Sequence, residues 1–207
     1  FEFSFGPEDL EDVWVKDAYL QVRVNRAVGV RAGQFKLPGS REYGTSARSI
    51  DFLERSALAE STAPHRDIGV MLTGRVGARI EYEAGLFAGD GNGRRSRADR
   101  TAAGRVVWDL PENVEVAFAL SEGRVASEDT EPANGFTGRS SSGYRFFEPV
   151  YVQGRRGRIG ADAAWDPGPW RFAVEALRAI DARDRQGHGA FGDFAFAGGR
   201  RRFRRGS

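Results

Sequence analysis

Arginine is the residue type in this chain best equipped for non-covalent chemistry, since Lys16 and Lys36 are the only lysines among 31 basic side chains. A guanidinium offers a planar fork of donors that fits carboxylate, phosphate and related oxyanions two bonds at a time. Two groups of basic residues are placed where such donors would act together. Arg23, Arg31, Arg75, Arg79, Arg105, Arg158 and Arg171 fall on the polar side of runs that alternate apolar with polar. Lys36, Arg41, Arg48 and Arg55 lie in, or at the root of, a long connection over 38–65. For each of them the plainer reading is a solvated loop charge, or an arginine paired across strands with Asp or Glu. Glu81, Glu83, Glu115 and Glu175 share the polar side and would offset the positive field. A GC-rich coding sequence would also leave a chain rich in arginine and poor in lysine.

Other chemistries find little support. The chain has no cysteine, which excludes disulfides, zinc–thiolate centres and thiol nucleophiles. His65 and His188 lie too far apart to suggest a ligand pair, so no metal is expected. Asp90-Gly91-Asn92-Gly93 has the look of a calcium loop but lacks the closing Glu, and reads as a turn. With no Gly-x-Ser-x-Gly elbow and no evident Ser/His/Asp cluster, a barrel esterase or other enzyme has no footing, and no cofactor motif is present. The formal charge of +2 is small for a nucleic-acid-binding domain, which carries a clustered basic stripe. No apolar run approaches the roughly 18–20 residues of a spanning helix, whereas spanning strands need only about 9–11 alternating residues.

The elements that position the arginines announce themselves by period-2 alternation. Ala18, Leu20, Val22 and Val24 oppose Asp17, Tyr19, Gln21 and Arg23, and Ile80, Tyr82, Ala84 and Leu86 oppose Arg79, Glu81 and Glu83. The pattern returns with Val114, Val116, Phe118 and Leu120, with Ile159, Ala161, Ala163 and Trp165, and with Trp170, Phe172, Val174 and Ala176. It predicts about ten strands, near 12–24, 28–37, 67–76, 79–87, 100–110, 114–121, 144–155, 157–166, 169–180 and 190–197. Tight-turn compositions occur near Asn25-Arg26-Ala27, Val76-Gly77-Ala78, Pro111-Glu112-Asn113, Arg156-Gly157 and Pro167-Gly168-Pro169. Long polar connections are expected at 38–65, 88–99, 122–143 and 181–193. Short turns at one end and long loops at the other are the signature of an all-β, antiparallel transmembrane β-barrel with periplasmic turns and extracellular loops. Trp14, Phe35, Phe87, Trp108, Trp165 and Trp170 sit near strand ends, as an interfacial girdle requires.

The 38–65 connection carries one helical candidate after Ser49, with Ile50, Phe52, Leu53 and Leu58 on one face and Asp51 and Glu54 near its start. Such a loop is expected to fold inward and narrow a pore, the alternative being a loop that covers the outside. Residues 1–197 read as one partial barrel domain and 198–207 as an atypical basic tail. The opening Phe1-Glu2-Phe3-Ser4-Phe5, already alternating and without a leader, suggests an incomplete stretch.

Taken in order, Asp17-Ala18-Tyr19, Gly33-Gln34-Phe35-Lys36, Ser40-Arg41-Glu42 and Asp51-Phe52-Leu53-Glu54-Arg55-Ser56 resemble the phosphate-selective porin O and P family. The likeness continues through Arg66-Asp67-Ile68-Gly69-Val70 and Gly85-Leu86-Phe87-Ala88-Gly89-Asp90-Gly91, and more thinly through Tyr151-Val152, Gly160-Ala161 and Glu175-Ala176-Leu177. It is densest over 13–110 and departs after Gly198. The resemblance implies a sixteen-stranded, homotrimeric anion channel in a Gram-negative outer membrane, whose partners are outer-membrane lipid and phosphate or related oxyanions. About ten of those strands would lie here. In such a channel a ladder of the eleven basic residues named above would replace part of an ion's hydration without trapping it. The alternatives are a general or weakly selective porin, and a structural barrel protein without specific transport.

Overall fold

The computed structural model describes residues 2–7, 13–46, 55–56, 59, 62–89, 100–125, 135–136, 150–151, 154–185 and 188–203. Twelve strands and one helical turn are found among them: β1 (Glu2–Pro7), β2 (Val13–Arg23), β3 (Gly29–Lys36), α1 (Arg41–Gly44), β4 (Arg66–Val76), β5 (Ile80–Phe87), β6 (Arg100–Leu110), β7 (Val114–Val125), β8 (Gly135–Phe136), β9 (Val150–Tyr151), β10 (Gly154–Trp165), β11 (Trp170–Arg185) and β12 (His188–Phe203). Ten strands form one sheet in the order β1-β2-β3-β4-β5-β6-β7-β10-β11-β12, every pair antiparallel. β8 and β9 pair separately. Among the described residues no pairing joins β1 to β12, so the sheet is open.

The alternation becomes two unlike faces. One face presents large apolar side chains to the surroundings: Leu20, Val22, Val70, Leu72, Leu86, Val106, Phe118, Leu120 and Val174 are all exposed, Leu86 by 71%. The other carries Arg31, Glu83, Arg105, Arg158, Asp162 and Glu175, and is covered by the segment that follows β3. A soluble sheet buries its apolar face, because burial contributes roughly 25 cal/mol per Å². This sheet does the reverse, and an apolar surface of this extent needs an apolar medium or a partner against it. Among the described residues no helix is long and apolar enough to cross a membrane.

The tight turns gather at one end of the sheet. Asn25 Oδ1 accepts from the backbone N–H groups of Ala27 and Val28, both at 2.8 Å, and closes the β2–β3 turn. Gly77 and Gly168 take positive φ in the β4–β5 and β10–β11 turns, and Glu112 and Asn113 take φ of 62° and 59° between β6 and β7. Two successive left-handed residues match the twist of a tight hairpin.

Several expectations need correction. The hairpin of strands 144–155 and 157–166 does not exist: Arg156-Gly157 lies inside β10, which pairs with β7 from Gly154 to Trp165. Arg156, Arg158, Gly160, Asp162 and Ala164 continue one unbroken inward alternation there, which a turn would reverse. The loop at 181–193 is likewise replaced by β11 to Arg185 and β12 from His188. β12 runs to Phe203, so the arginine run of 200–202 continues a strand expected to stop at 197. Phe35 and Phe87 are not girdle residues but lie buried on the covered face with Leu37, Met71 and Ala103. Phe35 meets Tyr19 and Phe87 edge-to-face, with centroids 5.9 and 5.5 Å apart. Trp108, Trp165 and Trp170 are exposed beside the turns. Arg48 and residues 50–54 and 57–58 of the helical candidate lie outside the described residues, as does the side chain of Trp14, and residues 55–56 are not helical.

Gly33 shows how tightly β2 and β3 meet. Its φ is +134°, and a Cβ there would stand 2.3 Å from the carbonyl oxygen of Ala18 and 2.6 Å from the Cα of Tyr19. Backbone atoms cannot give way, and the conformation itself is one that a side chain resists at about 1–3 kcal/mol. Gly33→Ala is therefore expected to lower unfolding stability by at least that amount. A urea titration of the detergent-folded protein reads this directly.

Candidate functional site

The site is built where the segment after β3 crosses to the far side of the sheet. Ser40 caps α1, its hydroxyl accepting from the Tyr43 backbone N–H at 3.0 Å. This single turn points its two leading N–H groups at one carboxylate: Glu175 Oε1 accepts from Arg41 at 2.9 Å and Oε2 from Glu42 at 3.1 Å. Glu175 stands on β11, more than 130 residues along the chain. The Arg41 side chain reaches β7 and β10, with Nη1 2.5 Å from Glu115 Oε1 and 3.2 Å from Asp162 Oδ1. A Cβ on Gly160 would meet the Gly39 carbonyl oxygen at 2.6 Å, so a residue without a side chain is what lets the segment settle on the wall.

Charge balance holds this contact together. Burial opposes the charge of the Arg41 guanidinium, but the Glu115 hydrogen bond with the Glu115 and Asp162 charges outweighs it, and the pKa rises above the ordinary arginine value. Asp162 is almost wholly buried and takes a second cation, with Oδ2 2.6 Å from Arg105 Nη1. One carboxylate thus neutralises a wall arginine and a loop arginine together. The root of the segment is fastened separately. Lys36 Nζ donates to the carbonyls of Tyr43 and Thr45 at 2.7 and 3.2 Å, and Arg55 Nη2 donates to Thr45 O at 3.0 Å. Glu42 accepts from both the backbone N–H and the hydroxyl of Ser56 at 2.7 Å. Tyr43 stacks on His65 with centroids 4.9 Å apart, and Arg66 grips Asp17 with two bonds of 3.0 Å.

The eleven basic residues singled out by sequence are thereby divided. Arg41, Arg75, Arg105 and Arg171 pair with carboxylates: Arg75 with Asp109 and, at 3.2 Å, Glu81, and Arg171 with Asp166 at 3.3 Å. Lys36 and Arg55 serve the backbone of the covering segment. Arg31 is half-buried on the covered face. Its Nε and Nη2 donate to Gln21 Oε1 at 3.2 and 2.9 Å, and it lies over the rings of Tyr19 and Phe35. Arg158 is buried on the same face and donates to the Gly157 carbonyl at 2.7 Å. Arg23 and Arg79 are exposed at the turn end, and Arg48 is outside the described residues.

Sequence reading missed Arg156, which is buried beside Arg158 on β10. The signal that finds it is parity: if Arg158 and Asp162 face inward, Arg156 must as well. It also missed that Asp162 and Glu175 anchor the segment, because their partners lie 121 and 134 residues away.

The chain of registers sorts these groups along the strands. Gln21, Arg31, Met71, Gly85, Ala103, Ser121 and Arg158 are successive lateral neighbours, and so form one row across the covered face. Glu83 and Arg105 pair in the next row toward the turns. Asp162 and Glu175 pair in the row after that, which also holds Glu81, and Asp109 and Glu115 pair in the following one. Six carboxylates thus gather on the turn side of Arg31 and Arg158, together with Arg75 and Arg105, while Asp67 is buried on the long-loop side.

Among curated proteins none matches the chain. The family model for phosphate-selective porin O and P matches residues 2–114, more than half of the 207. That span covers β1 to β6, the covering segment and its root, and it describes a channel of the outer membrane rather than an enzyme. With an all-β antiparallel sheet, an apolar outward face and a charged covered one, the chain belongs to the phosphate-selective porin O and P family.

Proposed function

We propose that this protein passes small anions, phosphate and related oxyanions among them, by passive diffusion along the covered face of its sheet. The barrel sits in a Gram-negative outer membrane, assembled as a homotrimer, with the long connections outside the cell. Residues 37–46 form the constriction. The observation that supports this most is the placing of charge: Arg31 and Arg158 share a lateral row on the long-loop side of Glu83, Glu81, Asp162, Glu175, Asp109 and Glu115, with Asp67 buried nearer the loops. An anion entering from that side reaches Arg31 and Arg158 before the six carboxylates on the turn side. Arg31 is hydrogen-bonded to a neutral amide rather than an acid, and it shares the nearby charge of Glu83 with Arg105. Arg156, Arg158 and Arg31 are the path residues. Arg41, Arg75 and Arg105 hold the wall and the constriction in shape.

A second reading, a general and weakly selective porin, is favoured by one observation. Glu115, Asp162, Glu81 and Asp109 pair with Arg41, Arg75 and Arg105 and remove much of the positive field on the turn side. The two readings part on Arg31. Arg31→Gln should lower the anion-to-cation permeability ratio about fivefold, the factor that corresponds to about 1 kcal/mol. A ratio that does not move would leave the weakly selective porin standing.

A further inference from the structure

The outward face is largely apolar, and besides Arg178 on β11 it carries one cluster of charge. Arg100, Arg124 and Arg155 stand side by side on β6, β7 and β10, with Arg100 opposite Arg124 and Arg124 opposite Arg155. All three are exposed, and all three sit beside long connections. Like charges directly opposite one another on a sheet destabilise it. One carboxylate answers them: Glu122 accepts from Arg155, with Oε1 2.6 Å from Nε and Oε2 2.9 Å from Nη2. Among the described residues Arg100 and Arg124 have no carboxylate partner.

Directly below this cluster, toward the turns, the same face opens into a groove of about 870 Å³. Its floor is made shallow by Ala102, Gly104 and Gly157, and Leu86, Leu120 and Ile159 stand along its sides. Arg155 and Glu122 belong to its rim. A basic cluster above an apolar trough on a face that meets hydrocarbon is complementary to one kind of molecule.

We propose that Arg100, Arg124 and Arg155 bind the anionic phosphate headgroup of a lipid, whose acyl chain lies in the groove beneath them. This rests on the face being membrane-exposed, as the porin reading requires. The headgroup supplies negative charge to Arg100 and Arg124, which Glu122, paired with Arg155, does not reach, and guanidinium–phosphate pairing is charge-assisted. The three arginines are on the opposite face of the sheet from Arg31, although Arg158 also lines the groove.

Native mass spectrometry of the full protein, folded in a neutral detergent, tests the site with three probes: phosphatidylglycerol, phosphatidylcholine and inorganic phosphate. Phosphatidylglycerol should bind at least tenfold more tightly than phosphatidylcholine. The double variant Arg100→Gln/Arg124→Gln should lose about 10- to 30-fold of that affinity, two charges at roughly 1 kcal/mol each. Arg26→Gln, at the turn end, should lose none. Equal binding of the two lipids, or an unaffected double variant, overturns the proposal. Retention of inorganic phosphate as tight as that of phosphatidylglycerol overturns the lipid as its source, and displacement of the lipid by a second copy of the chain assigns the groove to subunit packing instead. Conductance of the same preparation is read in parallel. A silent channel that still prefers phosphatidylglycerol fails the porin reading alone, whereas a conducting channel without that preference fails the lipid site alone.

Discussion

Asp162→Ala is expected to lower the unfolding stability of the protein by about 3–5 kcal/mol, the cost of leaving buried charges without their partner. The carboxylate is almost wholly buried and faces two guanidiniums, Arg41 at 3.2 Å and Arg105 at 2.6 Å. Arg41 keeps Glu115, whereas Arg105 keeps only the charges of Glu83 and Glu175, with no second ion pair among the described residues. Asp162→Asn removes the charge with little change of volume, and so separates electrostatics from packing. In that variant two cations on the covered face lose their counter-charge, and the reversal potential in a salt gradient should move toward anion selectivity. Urea unfolding of the detergent-folded protein and a bilayer recording measure the two effects independently. A stable Asp162→Ala protein, or an Asn variant more cation-selective than the parent, would contradict the pairing described here.

The second large effect concerns Glu175. It accepts two backbone N–H groups at the start of α1, and charge-assisted bonds of this kind are worth about 1.5–3 kcal/mol each. Glu175→Ala removes both acceptors, so the expected loss of about 3–6 kcal/mol falls on the docking of residues 37–46 rather than on the sheet. The Arg41 pairs with Glu115 and Asp162 would then be the remaining ion pairs between the segment and the wall. Single-channel conductance should rise and become noisier as the segment leaves the wall. Glu175→Gln, which keeps one carbonyl acceptor, should fall between the two. Unchanged conductance in the alanine variant would mean that residues 37–46 do not set the narrowest part of the path.

Much of the fold was legible because strand parity is a local property. Leu20, Val22, Leu86, Phe118, Leu120 and Val174 all stand on the exposed face that their spacing predicts. Turn chemistry was equally local: Asn25, Gly77, Asn113 and Gly168 close the turns expected of them. The errors arose where composition and parity disagreed. Arg156-Gly157 looks like a turn by composition, yet the inward series from Arg156 to Ala164 crosses it without a break. Two short turns in succession, at 156–157 and 167–169, would also have lain at opposite ends of the sheet. Phe35 and Phe87 were misplaced for a related reason. They are at strand ends, but their parity puts them on the covered face beneath the segment root, where edge-to-face packing employs them.

The site was less legible than the fold. Basic residues on the polar faces could be picked out, but their partners could not. The ion pair of Arg41 with Asp162 spans 121 residues, and the bonds to Glu175 span 134 and 133. The sheet places these partners side by side only when the strands between them are counted correctly, and the expected count was too high by one. Arg31 differs from Arg105 for a similarly non-local reason. The first stands opposite Gln21 and the second opposite Glu83 and in an ion pair with Asp162, while the charge of Glu83 acts on both.

The most direct test of the central claim is the zero-current reversal potential of the full protein in a planar bilayer under a potassium chloride gradient, with phosphate then titrated in. Anion selectivity, together with chloride current blocked by low phosphate and relieved in Arg31→Gln, is the result expected from Arg31 and Arg158 standing on the long-loop side of the six carboxylates. Cation selectivity, or chloride current indifferent to phosphate, would contradict an anion path along the covered face.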